Sequence, residues 1–282
     1  MLATLIRQSK ASLRAEWSRP LLRSSARRVF PRKITVDFEA RGYRVKTIDT
    51  RAEMRQVLAL RRSVFHYEFA RKWISLSSDR DAFDDRADHL AIISQETGKI
   101  VGVYRLIVSG PDQIYYSNTE FDITRFLKHP GRKVELSRAC IDRDYRTGTV
   151  IALLWKGLAE YAKTAEADYL FGLSSVTTTD KSVIKALHQH FEGRGIVDSS
   201  FGMDPRPEFV IDGFAGIEAA PGDTSSLIPP LLKTYIKAGA KICSQPVIDR
   251  DFNCADWLTV LDMRELTAAF DRRFMKDGKS LS

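Results

Sequence analysis

Glu135 and Arg138 are the residues best placed for chemistry. They are an acid and a base inside a strand-like run within GRKVELSRACIDRDYRTGTVIALLWKGLAEY. A strand points Glu135 and Ser137 to one side and Leu136 and Arg138 to the other. Charges that interrupt a buried strand are costly unless they are paired or used. The run leads into Arg146-Thr147-Gly148-Thr149 and then the amphipathic stretch Ile151 to Lys163. A carboxylate on a strand can take a proton, and the free backbone N–H groups of the helix start that follows can hold a phosphate. Arg61, Arg105 and Arg138 are three further charges in apolar context, set against Asp81 and Asp84 in a polar loop. If that loop folds over a sheet, guanidiniums and carboxylates must pair, because an unpaired buried charge is strongly unfavourable. His188 and His190 lie on a predicted helix without acidic or cysteine partners at metal spacing, so no metal site is expected.

Several elements are needed to position these side chains. Tyr43 to Asp49 alternates as a strand, and Thr50 with Glu53 three residues on predicts a capped helix from Arg51. His89 to Ser94 and Ile100 to Val108 read as a hairpin turning at Glu96-Thr97-Gly98-Lys99, and Trp73 to Asp88 reads as a loop. A short strand at Gln113 to Tyr116 and a helical turn near Asp122 to Leu127 lead to the Glu135 strand. Beyond the helix from Thr149, a buried strand is expected at Asp168 to Leu173 and a helix at Lys181 to Phe191. Trp155 and Tyr161, at helical spacing, are expected in the core rather than in a ligand pocket. Turn-rich Pro221 to Ser226 marks the start of a C-terminal extension, residues 221–282, with helices at Pro230 to Ala238 and Arg264 to Phe274 flanking a strand at Trp257 to Leu261. The alternation predicts an α+β or three-layer α/β domain over residues 34–220.

Composition excludes several classes. The three cysteines have no disulfide-framework or zinc spacing, and no apolar run approaches the roughly 20 residues needed to span a bilayer. The net charge of +8 lies wholly in residues 1–33, which carry nine basic side chains and one acidic one; the rest is neutral, with 35 of each sign. On a helix, Leu2, Leu5, Ile6, Leu13, Trp17 and Leu21 share a face away from Arg7, Lys10 and Arg14, as in a helix lying on an anionic membrane surface. A basic tail, a nucleic-acid arm and a targeting peptide are the other readings of this leader.

A series of short motifs in fixed order carries a resemblance. They are Leu60-Arg61-Arg62-Ser63-Val64-Phe65, Asp81-Ala82-Phe83-Asp84, Val101 to Leu106, Tyr116 to Asp122, Glu135 to Cys140, Leu154 to Leu158 and Tyr169 to Gly172. Together they resemble the bacterial N-acyltransferases of the ornithine-lipid pathway within the GNAT superfamily, which are related to the acyl-homoserine-lactone synthases. Pro246 to Phe252 is similar to that family's C-terminal pattern, whereas Leu173 to Thr179 departs from the Cys-x-Ser pair usual after Gly172.

The resemblance implies a splayed mixed sheet flanked by helices. It also implies transfer of a long, 3-hydroxylated acyl chain from acyl carrier protein, or from coenzyme A, to the α-amino group of ornithine or a similar amino acid, with no bound cofactor. In that frame Glu135 is the expected base and Arg138 its catalytic neighbour, while Arg61, Asp81, Asp84 and Arg105 are expected to bind the acceptor or only to hold the loop. Arg146, Thr147, Gly148 and Thr149 are expected at the donor's phosphopantetheine. The expected setting is the cytoplasmic face of the membrane, with residues 1–33 on anionic lipid and nucleic acid an unexpected partner. A signal synthase making N-acyl homoserine lactones or N-acyl amino acids, and a non-catalytic membrane- or nucleic-acid-binding module, are the alternatives.

Overall fold

The computed structural model describes residues 33–69, 79–110 and 112–275, so the basic leader lies outside the described residues apart from Lys33. Local sequence accounts for most elements. Strand β1 (Asp37–Ala40) and strand β2 (Tyr43–Thr47) form a hairpin, and helix α1 (Arg51–Phe69) follows. The start of α1 is fixed by a reciprocal cap: Glu53 N–H donates to Thr50 Oγ1, and Thr50 N–H donates to Glu53 Oε2. Strands β3 (Asp88–Ser94) and β4 (Ile100–Val108) form the expected hairpin, with Gly98 at φ +67° in the turn.

The Gln113 to Tyr116 segment is not a strand. A 3-10 helix occupies Tyr116–Thr119, because Glu135 claims the N–H groups of Tyr116 and Ser117 and no ladder partner remains for them. Next come β5 (Phe121–Asp122), α2 (Thr124–Lys128), β6 (Lys133–Ile141), α3 (Gly148–Thr164), β7 (Tyr169–Val176) and α4 (Lys181–Gly193). Short β8 (Asp204–Pro205) pairs with β5.

Among the described residues, the C-terminal extension contributes strands to the sheet itself. After α5 (Pro230–Ala238), strands β9 (Lys241–Ile242), β10 (Val247–Asp249) and β11 (Cys254–Asp262) join it, and β11 pairs with β7 from Ala255–Val176 to Asp262–Tyr169. The helix expected over Arg264 to Phe274 is shorter: α6 (Ala268–Phe270) runs into a π-helical turn, Asp271–Met275.

The main sheet has the order β1-β2-β3-β4-β6-β7-β11-β10, with β9 on β11. Every pairing in it is antiparallel except β6 with β7. Helix α3 seals one face, packing Leu153, Leu154 and Leu158 with Val45, Leu90, Leu106 and Leu136. Gly157 permits this contact, since a Cβ there would stand 2.8 Å from Val45 Cγ1. On the opposite face α1 contributes Met54, Val57 and Leu60, and Phe121, Phe126 and Phe171 form a second cluster. Each fully buried side chain of this size stabilises the fold by about 1.5–3 kcal/mol. Among the described residues no helix is long and apolar enough to cross a membrane.

Candidate active site

The parallel pair β6–β7 is where the sheet comes apart. Its register covers only Lys133–Tyr169, Val134–Leu170 and Glu135–Phe171. Gly172 lies at the point of divergence: a Cβ there would fall 2.1 Å from the Leu136 carbonyl oxygen, so no side chain fits. Beyond it the strands bound a cavity of about 590 Å³. Residues 136–141 of β6 and Leu173 to Ser175 of β7 form two walls. Arg146 to Gly148 at the start of α3, Leu231 and Tyr235 of α5, and Asp249, Phe252 and Asp256 of the C-terminal strands close it.

Arg146, Thr147 and Gly148 thus border the cavity, and Thr149 does not. Thr147 caps α3 by accepting the Val150 N–H at 3.5 Å. The start of this 17-residue helix carries the positive end of its dipole to the cavity edge. Trp155, expected in the core, is both: its ring packs with Tyr235 and Phe270 and also lines the cavity. Tyr161 is core, and its hydroxyl donates to Asp88 Oδ2 at 2.8 Å.

Arg138 stands on the cavity wall in an unusual backbone state. Its φ is +51°, a left-handed value that costs a non-glycine residue about 1 kcal/mol or more, and the β4–β6 register shifts beside it, between Val103 and Arg105. The bulge turns its side chain among three rings: the guanidinium carbon lies 5.1 Å from the Tyr116 centroid, 5.4 Å from Phe252 and 5.5 Å from Phe65. Its Nε is buried without a hydrogen-bond partner.

Arg61, Asp81, Asp84 and Arg105 do come together, behind the lining residues Arg138 and Tyr116, and none of the four lines the cavity itself. Arg61 Nη1 reaches Asp84 Oδ1 at 2.6 Å, and its Nε reaches Asp79 at 2.6 Å. Arg105 Nη1 reaches Asp81 at 2.6 Å and Asp84 at 3.2 Å, and Arg138 Nη2 touches Asp81 at 3.4 Å. This mutual pairing suits the loop-holding alternative for these residues, although Arg105 Nη2 is left without a hydrogen-bond partner. Although burial acts to raise it, the Asp84 carboxyl is held well below the usual carboxylate range by Arg61 and Arg105. His89, buried against the same group, is pushed down to about 4 by burial, so it is neutral.

Glu135 is also placed differently from the expectation. Its side chain is fully buried and does not line the cavity, and its two oxygens accept the N–H groups of Tyr116 at 2.8 Å and Ser117 at 2.6 Å. Burial raises its pKa, and those two N–H bonds oppose the rise. A base must reach the proton it removes. Glu135 instead ties down the turn that presents the Tyr116 ring to Arg138.

Sequence reasoning missed a trio of carboxylates, two of which, Asp249 and Asp256, stand on the far wall. Glu120, Asp249 and Asp256 are buried, with ligand atoms within 4.8 Å of one another. Burial first, then the neighbouring Asp249 charge, pushes the Asp256 carboxyl up to about 6, while hydrogen bonds with Ser175 and Glu120 restrain the rise. The signal was available: Asp256 is a charge inside the apolar alternation of the last strand, the same feature that drew attention to Glu135.

Comparison with known proteins agrees with this architecture. Residues 60–156 match the family model described as an acetyltransferase (GNAT) domain. The L-ornithine N(alpha)-acyltransferase of Rhodobacter capsulatus is 27% identical over 246 residues, covering 80% of this chain and 92% of that protein. The enzyme of the same name from Rhizobium meliloti is 29% identical over 220 residues, covering 72% and 73%. Among solved structures, an N-acyl amino acid synthase from uncultured soil microbes aligns with a TM-score of 0.48 at 11% identity, over 79% of this chain and 92% of that one, a likeness too loose to bear on activity. With a GNAT-domain match over residues 60–156, which include β6, and these relatives along most of its length, the chain is an acyltransferase similar to the L-ornithine N(alpha)-acyltransferases.

Proposed function

We propose that the protein transfers a long, 3-hydroxylated acyl chain from the phosphopantetheine thioester of acyl carrier protein to the α-amino group of ornithine or a close analogue, opening the synthesis of an amino-acid-containing membrane lipid. The observation that carries this reading is the cavity in the β6–β7 splay. One wall, with Ile151, Leu154 and Leu231, is apolar and suits an acyl chain; another carries Arg138, which suits a carboxylate; and the start of α3 opens on the same space and suits a phosphate. The names of the relatives support the acceptor. The exposed Arg143 and Arg146 beside the helix start support an acidic carrier protein as donor.

In the reaction the neutral α-amine attacks the thioester carbonyl, the C–N bond forms, the C–S bond breaks, and the thiol leaves with a proton given up by the amine. Past Glu135, the edge of β6 that faces β7 has no ladder partner there, and its main-chain N–H groups serve the developing oxyanion. Glu135 acts as a positioning residue through the Tyr116–Ser117 turn. Residues 1–33 hold the protein to an anionic membrane surface, where a product with a long chain partitions.

The test is an assay of the full chain with ornithine and either long-chain acyl carrier protein or acetyl-CoA, read by mass spectrometry. N-acyl ornithine should form from the long-chain donor, with acetyl-CoA used at least about 100-fold less well. Comparable turnover of acetyl-CoA would overturn the long-chain reading.

A further inference from the structure

Two features of the cavity bear on how the acceptor is held. The first is the trio Glu120, Asp249 and Asp256, of which Asp249 and Asp256 line the cavity. The second is Arg138, whose side chain is 10% exposed and whose buried Nε has no hydrogen-bond partner. A guanidinium with an unused donor on one wall and crowded carboxylates on another make a cavity of two signs, matched to a zwitterion that carries an additional cation.

The carboxylates decide what that cation does. Asp256, Asp249 and Glu120 bring their carboxylate oxygens within 4.8 Å of one another, and Asp256 hydrogen-bonds Glu120. An ammonium arriving there would relieve the crowding of like charge. Among carboxylates packed this closely the ammonium would hold its own proton more tightly than in water. An amine held protonated cannot attack a thioester, because its lone pair is engaged. The trio is therefore unsuited to the reacting nitrogen and suited to an amine that has to be kept from reacting.

We infer that Asp256, with Asp249 and Glu120, binds the side-chain ammonium of a diamino acid acceptor while Arg138 takes its carboxylate, so that the α-amine alone reaches the thioester. The inference rests on the amino-acid acylation proposed above and adds to it the origin of the choice between two amines. The acceptor is fixed at both ends, and its terminal nitrogen is masked by protonation rather than by exclusion.

The experiment compares ornithine with 2-aminopentanoic acid, which has the same carbon chain without the terminal ammonium. The wild-type protein should favour ornithine by about 100-fold or more in kcat/KM, as expected where a buried polar site loses its partner. In Asp256→Asn this preference should fall below about 5-fold, with the loss in KM for ornithine, and tandem mass spectrometry should show side-chain amide appearing beside the α-amide. Asp249→Asn should move the same quantities in the same direction, and melting curves of both variants should show that they fold.

Equal use of the two acceptors by the wild-type protein overturns the inference whatever the variants do, and leaves the acyltransferase reading standing. An equal loss on both acceptors in Asp256→Asn overturns it too, since the residue then serves catalysis or structure. If Mg²⁺, Ca²⁺ or Mn²⁺ raises the melting temperature of the wild-type protein but not of Asp256→Asn, the trio belongs to a metal and the inference falls. A wild-type protein that acylates no amino acid sinks both readings together.

Discussion

Among the described residues, two clusters of acidic side chains lie wholly or largely out of solvent, and they face opposite company. Asp79, Asp81 and Asp84 meet the guanidiniums of Arg61, Arg105 and Arg138 at 2.6 to 3.9 Å. Beside Asp256 the charge is another carboxylate, Asp249, and the group hydrogen-bonds a third, Glu120. The first arrangement lowers the Asp84 pKa and the second raises that of Asp256. The difference separates structure from site: pairing settles a loop onto a sheet, whereas crowded like charges at a cavity are a standing demand for a ligand.

The largest expected effect tests the paired side. Asp84→Asn leaves Arg61 and Arg105 buried without their shared counter-ion and should cost about 3–5 kcal/mol in denaturant unfolding. A loss under about 1 kcal/mol would mean that the network does not hold the loop. The stability that Asp84 confers is present above the ordinary carboxylate range and is lost as pH falls through its depressed folded value.

The crowded side has the opposite sign. Asp256, raised to about 6, favours the native state below the ordinary aspartate range, and that contribution disappears as pH rises through 6. Asp256→Asn should therefore melt above the wild-type protein at pH 7.5 by up to about 3 kcal/mol, with the gap closing toward pH 4.5. A gap independent of pH would mean that Asp256 does not titrate in this window.

Glu135 sits between the two cases, since it is buried yet held by the N–H groups of Tyr116 and Ser117. In Glu135→Gln one oxygen still accepts, but an NH₂ group confronts the second N–H, at a cost of about 1–2 kcal/mol. Acyl transfer should weaken through the displaced Tyr116 turn and should not recover as pH rises. Recovery at high pH would give Glu135 the amine's proton after all.

What was legible in the sequence was what is local. The Thr50–Glu53 cap, the turn at Gly98 and the helix from Pro230 to Ala238 follow from residues within a few positions of one another. The order of motifs carried the fold family, and with it the expectation of a splayed sheet. The ownership of charges was not legible. Glu135 and Arg138, three residues apart on β6, would point to opposite sides of a plain strand, but the bulge at Arg138 breaks that alternation and brings both to the Tyr116 turn, Glu135 onto its N–H group and Arg138 against its ring. Asp256 was overlooked because its partners, Glu120 and Asp249, come from distant parts of the chain and meet only once β11 joins β7.

The seam between β6 and β7 has a consequence for the protein in the absence of its substrate. Three residue pairs join the strands of the first half of the sheet to those of the second, and past them the cavity interrupts the layer. On the proposed function, an acyl chain lying there would be, for the fold, a missing piece of hydrophobic core. Any guest that binds only the native state adds RT ln(1 + [L]/Kd) to its stability, so donor supply and the folded fraction rise together. The thioester is then a lodger as well as a reactant, and each turnover returns the protein to its less stable, vacant form.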